Sequence, residues 1–359
     1  MSLSPSFSVS PPRRLSLAKF RESLRLGRTL EEQGYTKSEL IAEGGYGKVH
    51  KGWDLRTNRP VALKYMDHQA DKGLSQATIR EVTLLRSAGE HRNIVQVLGC
   101  CFVPNATVLV LEYLDIDLSN FIKSQRHSER DLLTVTLVKS IMRDILSGAD
   151  HLHSRGISHR DLKPRNVLVS LKTYEVKIAD FGLSKFITFP VRRTSESFGT
   201  RWYRSPEVLL GHKTTTMRVD MWSIGTIFAE MKEKASLFPG RDHSDQIHLI
   251  FATLGTPTNE SWPDIERNRE FQAIGHPFYP ESRLALKTPH MDTTEREILM
   301  MFLEYDPVRR ISASDALRLP YFSSIHTAAF RGGLTNRSVN NWVNQPTSPN
   351  LPCASTRRA

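Results

Sequence analysis

Two short stretches, residues 61–66 and 107–113, are runs of apolar and β-branched side chains, the pattern of buried strands. Residues 74–86 change period: Ile79, Val82 and Leu85 recur at helical spacing with polar residues opposite, which predicts an amphipathic helix. Beyond residue 118 the helical period dominates, through 132–153, 219–232 and 294–304. Strands lead and helices follow, so the predicted class is α+β, a small β-rich lobe joined to a larger helical one. The longest apolar runs are stretches such as 108–111, far short of the roughly 18 residues a membrane helix needs. No membrane span is expected.

Composition narrows the picture. With 359 residues, 39% hydrophobic and 24% charged, the chain can bury one large core or two adjoining ones. Cys100, Cys101 and Cys353 make neither a disulfide framework nor a zinc pattern, which favours a reducing compartment, cytoplasmic or nuclear. The net charge of +11 is unevenly spread. Residues 1–34 form a Ser/Pro/Arg-rich arm with six basic and three acidic side chains, and within the tail that spans 326–359, residues 335–359 carry Arg337, Arg357 and Arg358 with no acid. About half of the excess charge therefore lies in expected tails, and no basic stripe with interleaved aromatics points to nucleic acid. The arm reads as disordered, with candidate phosphorylation sites at Ser4 and Ser10; Leu17, Phe20 and Leu24 at helical spacing give a transit peptide as the alternative.

The candidate chemistry begins at Ile41-Ala42-Glu43-Gly44-Gly45-Tyr46-Gly47-Lys48-Val49, between two predicted strand segments. Glycines there let backbone N–H groups approach phosphate oxygens, although a Gly-rich hairpin turn would leave the same trace. The order Gly-x-x-x-x-Gly-Lys-Ser/Thr is missing, which argues against a P-loop. Val61-Ala-Leu-Lys64 ends an apolar strand on a lysine, and Glu81 lies in the next helix; as a pair they would hold the lysine towards the α and β phosphates. Apart, they are an exposed lysine and a solvent-facing carboxylate. His159-Arg-Asp-Leu-Lys-Pro-Arg-Asn166 followed by Asp180-Phe-Gly182 is more specific. Asp161 can accept a hydroxyl proton, Asn166 and Asp180 can hold magnesium, and Lys163 can steady a phosphoryl group in transfer.

In this order and spacing, the motifs make the chain resemble a eukaryotic protein kinase over roughly residues 35–325. It is similar, more narrowly, to the cyclin-dependent kinases and their relatives in the CMGC group. Ser75-Gln-Ala-Thr-Ile-Arg-Glu81 resembles their PSTAIRE helix, Leu111-Glu-Tyr-Leu-Asp-Ile-Asp-Leu118 their hinge, and Trp202-Tyr-Arg-Ser-Pro-Glu207 the segment before their helical core. Val219-Asp-Met-Trp-Ser-Ile-Gly225, Leu237-Phe-Pro-Gly240, Thr253-Leu-Gly-Thr-Pro257 and Tyr305-Asp-Pro-Val-Arg-Arg-Ile-Ser-Ala313 continue the likeness. The resemblance implies a bilobal fold, with an N-lobe of about 35–113 and a C-lobe of about 118–325. It also implies Mg2+-dependent transfer of the γ-phosphoryl group of ATP to protein Ser or Thr.

Position by position, the resemblance assigns the phosphates to Ile41 through Gly47, adenine to Val49, Ala62 and Leu168, the gatekeeper to Leu111, the adenine edge to the backbone of Glu112 and Leu114, and ribose to Asp117. Glu207 and Arg310 should pair, Asp220 should anchor the catalytic loop, and Leu85, Val97, His159 and Phe181 should stack. A cyclin-like partner should bring Glu81 to Lys64, with Ile79 as its apolar anchor or else a core residue. Phosphorylation of Ser195 or Thr194 should be read by Arg80, Arg160 and Lys185, and inhibitory phosphorylation should fall on Tyr46. Gly199 and Arg204 should favour substrates with Ser-Pro or Thr-Pro. Three departures stand out: Ala42 for the first loop glycine, Ser205 for alanine, and Ser-Gln-Ala-Thr before Ile79. A small side chain at 42 is tolerable if φ stays negative. A cyclin-independent, mitogen-activated-type kinase and a catalytically silent scaffold are the alternatives.

Overall fold

A computed structural model describes residues 29–323 except 45–46, 68–75, 105, 127, 129–130, 188–200, 213–215 and 276. The described residues divide into two compact units, one comprising 29–86 together with Gln96–Tyr113, the other Ser87–Val95 together with 114–323. The first unit is β-rich and the second mainly helical, the α+β order expected.

The small unit contains strands β1 (Tyr35–Gly44), β2 (Gly47–Asp54) and β3 (Arg59–Asp67), helix α1 (Gln76–Ala88), and strands β4 (Val97–Val103) and β5 (Ala106–Glu112). The sheet order is β1-β2-β3-β5-β4, with every pair antiparallel. Alternation along the strands sorts the side chains to two faces. Val61 and Leu63 of β3 join Val108 and Val110 of β5, Cys101, Tyr35 and Leu30 in one apolar cluster. Ala62 and Lys64 lie on the other face, in register with Leu111 and Leu109.

The cluster reaches back before β1. Leu30 is 6% exposed, and it leads into the 3-10 turn Glu31–Gln33. Thr29 and Glu32 brace that turn reciprocally: the Thr29 N–H donates to Glu32 Oε2 at 2.8 Å and the Glu32 N–H to Thr29 Oγ1 at 3.2 Å. The Gln33 side-chain amide then donates to the Phe102 carbonyl (2.9 Å) and accepts from its N–H (3.2 Å), as a neighbouring strand would on the sheet's edge strand β4. Residues 29–34, placed in the arm by composition, are thus part of the folded unit.

Helix α1 forms where the period predicted it, but it is turned. Its buried positions are Thr78, Glu81, Leu84, Leu85 and Ala88, while Ile79 is 52% exposed and Val82 only half-buried. Of the expected apolar face, Leu85 is buried, whereas Ile79 is not, and the buried Glu81 takes a place on the inner side of the helix.

The large unit runs β6 (Ile116–Asp117), α2 (Leu118–Ser124), α3 (Val135–His153), β7 (Ile157–Ser158), β8 (Val167–Val169), β9 (Val176–Ile178), β10 (Lys185–Phe186), α4 (Pro206–Leu209), α5 (Arg218–Glu233), α6 (His243–Leu254), α7 (Arg269–Ala273), α8 (Leu284–Lys287), α9 (Thr293–Phe302), α10 (Ala313–Arg318) and α11 (Pro320–Ser323). Side-chain caps start the main helices: Thr134 accepts from the Leu137 N–H before α3, Asp242 from that of Asp245 before α6, and Asp292 forms a capping box with Glu295 before α9. Helix α5 is buried at every position from Val219 to Met231, as suits a helix at the centre of a unit, and it packs against α3 and α9. Among the described residues no helix is long and apolar enough to cross a membrane.

Candidate active site

In the small unit the sheet face opposite the apolar cluster carries the candidate residues. Val49 is in register with Lys64, and Ala62 with Leu111. Lys64 Nζ meets Glu81 Oε1 at 2.6 Å, with the two side chains 7% and 4% exposed. An ion pair so buried must be well made, because either charge alone would face a heavy desolvation cost. The pair is formed in the single chain.

The glycine-rich segment is the β1–β2 hairpin, with Gly44 opposite Gly47. Gly47 has φ +125°, and a Cβ there would stand 2.0 Å from the Tyr65 carbonyl oxygen, so no other residue fits. Ala42 pairs with Val49 and is not among the residues with positive φ, so its methyl group meets the condition set for it. Gly45 and Tyr46 lie outside the described residues. Glu112 joins the backbone of Gln96 twice, donating its N–H to the carbonyl (3.0 Å) and accepting the Gln96 N–H on Oε1 (2.7 Å).

In the large unit the segment between β7 and β8 gathers the other candidates. Asp161 Oδ2 accepts from Lys163 Nζ at 2.7 Å and from Asn166 Nδ2 at 3.0 Å. The same Asn166 nitrogen donates to the Asp161 carbonyl at 2.7 Å, so the amide group is fixed and its Oδ1 is the atom left for a cation. The 3-10 turn Pro164–Asn166 sets this arrangement, with the Asn166 N–H bonded to the Lys163 carbonyl at 2.9 Å. His159 accepts from the Asp161 N–H on Nδ1 (3.3 Å), so it is Nε2 that donates to the Ala179 carbonyl (3.0 Å). Its ring also meets that of the fully buried Phe181 edge-on at 5.1 Å. Asp180, between Ala179 and Phe181, is held at φ +65°. Leu168 on β8 is in register with Asp117 on β6, and Asp117 caps α2 by accepting from the Asn120 N–H at 2.9 Å. Leu114 is half-buried.

Asp220, at the start of α5, anchors this segment as expected. Its carboxylate accepts from the N–H groups of His159 (2.9 Å) and Arg160 (2.7 Å) and from Ser158 Oγ (3.0 Å). The bond to the Arg160 N–H supports a backbone at φ +67°, a conformation costly for a residue with a Cβ. His153 Nε2 completes the shell at 2.9 Å. Burial pushes the Asp220 carboxyl up, but the His153 hydrogen bond and charge, with His159 and the Arg160 N–H, hold it below the usual carboxylate range.

The expected Glu207–Arg310 pair is bidentate, at 2.7 and 2.9 Å, and buried. Arg310 also donates to the carbonyls of Glu304, Arg218 and Tyr305, so all five of its donors are engaged. Sequence reasoning missed the network beside it. Tyr203 OH donates to Glu230 Oε2 at 2.8 Å, and Ser236 Oγ donates to the same oxygen at 3.1 Å. It missed His153 too, since a histidine in the last turn of a helix has an ordinary explanation in the helix dipole. Arg204 is half-buried, with its N–H on the Arg201 carbonyl (3.0 Å), and Lys185 pairs with Ser158 through the backbone of β10 and β7. Arg80 is half-buried on α1. Thr194, Ser195 and Gly199 lie outside the described residues.

The family model of the protein kinase domain matches residues 35–322. Proteins with this domain transfer a phosphoryl group from ATP to proteins, using a divalent cation. The match runs from β1 into α11, through a β-rich part and then a helical part, and the chain belongs to the protein kinase family.

Proposed function

We propose that this chain is a magnesium-dependent serine/threonine kinase of the cyclin-dependent type, selective for proline after the phosphorylated residue. The observation that supports this most directly is the Asp161 cluster. One carboxylate oxygen holds Lys163 and Asn166, and the other is left to receive the proton of a substrate hydroxyl. In this reading the hydroxyl oxygen bonds to the γ-phosphorus as the bond from phosphorus to the bridging oxygen breaks. The hydroxyl proton passes to Asp161, and Lys163 offsets the charge on the group in transfer. Asn166 and Asp180 are oxygen donors of the kind magnesium takes, since it keeps water and phosphate oxygens in its shell and needs few protein ligands. The nucleotide roles of residues 41–47, Val49, Ala62, Lys64, Leu111, Glu112, Leu114, Asp117 and Leu168 belong to the same proposal.

Regulation through Ser195 or Thr194, read by Arg80, Arg160 and Lys185, is proposed on the resemblance, as are inhibition through Tyr46, proline selection through Gly199 and Arg204, and a cytoplasmic or nuclear location. A second reading, a kinase that needs no cyclin, is favoured by the Lys64–Glu81 pair already formed in the single chain. Full activity of the partner-free chain would decide for it. The catalytic assignment is tested with labelled ATP and Ser-Pro, Ser-Ala and Tyr peptides. Transfer to Ser-Pro is expected, with at least a thousandfold loss in Asp161→Asn and Asp180→Asn at unchanged melting temperature. Turnover retained in either variant rejects the assignment, and equal kcat/KM for Ser-Pro and Ser-Ala rejects proline selection.

A further inference from the structure

We propose that His91 and His151 form an acid-sensitive latch, closed while the His91 imidazole is neutral, that holds the end of helix α1 to α3. The two rings stack with centroids 4.3 Å apart and planes 28° from parallel. Hydrogen bonds fix a proton on each. His91 Nδ1 accepts from the Asn93 N–H at 3.1 Å, so the proton of the neutral ring sits on Nε2, which faces Ser147 Oγ of α3 at 3.5 Å. His151 Nε2 lies 2.7 Å from the Ala88 carbonyl, and since a carbonyl can only accept, that nitrogen donates. Ala88 is the fully buried last residue of α1, and its carbonyl is one of the four that a helix leaves unpaired at its C-terminal end.

The turn that carries His91 is tightly seated. The Ile94 N–H bonds the His91 carbonyl at 3.1 Å, Asn93 bonds the backbone of Val176 and Ile178 on β9, and a Cβ on Gly148 of α3 would stand 2.8 Å from the Asn93 carbonyl oxygen. A proton on His91 Nδ1 would set donor against donor at the Asn93 N–H and bring a charge against the face of His151. The charged groups around it oppose that charge. Arg155, just after α3, donates to the His151 carbonyl at 3.2 Å, Lys177 lies on β9 between the two residues bonded to Asn93, and Arg92 is next in the turn. Glu175, on the β9 side, is paired with Arg92 at 2.5 Å. Burial first, then His151, Arg155, Arg92 and Lys177, hold the His91 pKa below that of an ordinary histidine. Since the folded-state value lies below an unfolded one of about 6.5, the latch contributes fully above that pH and is lost as pH falls through the folded value. Helix α1 carries Glu81 two turns before Ala88, so an open latch frees the helix end and loosens the Lys64–Glu81 pair.

The test compares the full chain at about pH 7.5 and about pH 5.5, on either side of an ordinary histidine. Imidazole resonances follow His91 directly. It should titrate below the ordinary value in the wild-type chain and move towards that value in His151→Gln, whose side-chain amide keeps the bond to the Ala88 carbonyl. Amide exchange reports the turn: the protection factors of Asn93 and Val95 should drop about fivefold over the interval, the worth of one hydrogen bond. They should stay level in His91→Asn, whose Oδ1 accepts the Asn93 N–H without titrating. Neither readout depends on the phosphotransfer reading. Transfer to a Ser-Pro peptide, which does, should fall further with acid in the wild-type chain than in His91→Asn. A His91 that titrates at or above the ordinary value, or equal pH dependence of protection in the wild-type chain and His91→Asn, overturns the latch. If His91→Asn fails to fold, the titration of the wild-type chain still decides. A latch seen in exchange with the same acid loss of transfer in both chains overturns its hold on the Lys64–Glu81 pair.

Discussion

Ser205 stands at the N-cap of α4 yet makes no capping hydrogen bond, and its buried hydroxyl finds no partner among the described residues. A buried hydroxyl without a partner costs about 1–3 kcal/mol. Ser205→Ala should therefore stabilise the protein by about 1 kcal/mol and raise the melting temperature by about 2 °C; an unchanged or lower value in calorimetry would show that the hydroxyl has an acceptor. Asp220 is the opposite case, a buried group with every partner it needs. Because its folded-state pKa lies below the unfolded one, it contributes stability that is fully present above the ordinary carboxylate pKa of about 4 and is lost as pH falls through the depressed value. Asp220→Asn should cost about 3 kcal/mol at neutral pH and flatten part of the acid limb of a urea-unfolding series. The sequence made Asp220 legible only through family likeness. The histidine that supports it is invisible there, because a contact between residues 153 and 220 leaves no local pattern.

Helix α1 shows how far periodicity reaches at the scale of an element. The spacing located the helix correctly and its inner face only in part, right at Leu85 and wrong at Ile79, because a period counts Ile79 as apolar and Glu81 as polar without knowing that Lys64 waits for the glutamate. The energetic signature follows. Lys64→Ala or Glu81→Ala alone leaves a buried charge without its partner and should cost about 3 kcal/mol. The double variant should cost well under the sum of the two, a coupling that a double-mutant cycle reads directly. Simple additivity would mean that the two side chains do not act as a pair. Substitution of the exposed Ile79 should move stability by no more than about 0.5 kcal/mol.

At the scale of the molecule, the change from strand pattern to helix pattern made the two units legible. The residues that leave the first of them were not. Residues 89–95 fall between α1 and β4 in sequence but belong, with the last two residues of α1, to the large unit. The Val95 N–H bonds the Ile178 carbonyl, the Ile178 N–H bonds the Asn93 carbonyl, and Asn93 Nδ2 reaches the Val176 carbonyl. A bridge between residues more than eighty positions apart cannot be read from neighbours.

The start of the small unit was obscured differently, by an arm whose composition hides the docked turn that ends it. That turn bears on where the chain can be cut. The family match begins at residue 35, and a chain shortened to that point keeps every candidate catalytic residue. It loses Leu30 from the cluster with Val108, Val110 and Cys101, and Gln33 from the edge of β4. Removing one buried leucine forfeits about 2 kcal/mol. The larger consequence is colloidal: an apolar sheet face and a bare strand edge would open side by side, which is what a second molecule needs to stick. A chain starting at residue 35 should elute as soluble oligomers in size-exclusion chromatography, and one starting at residue 29 as a monomer.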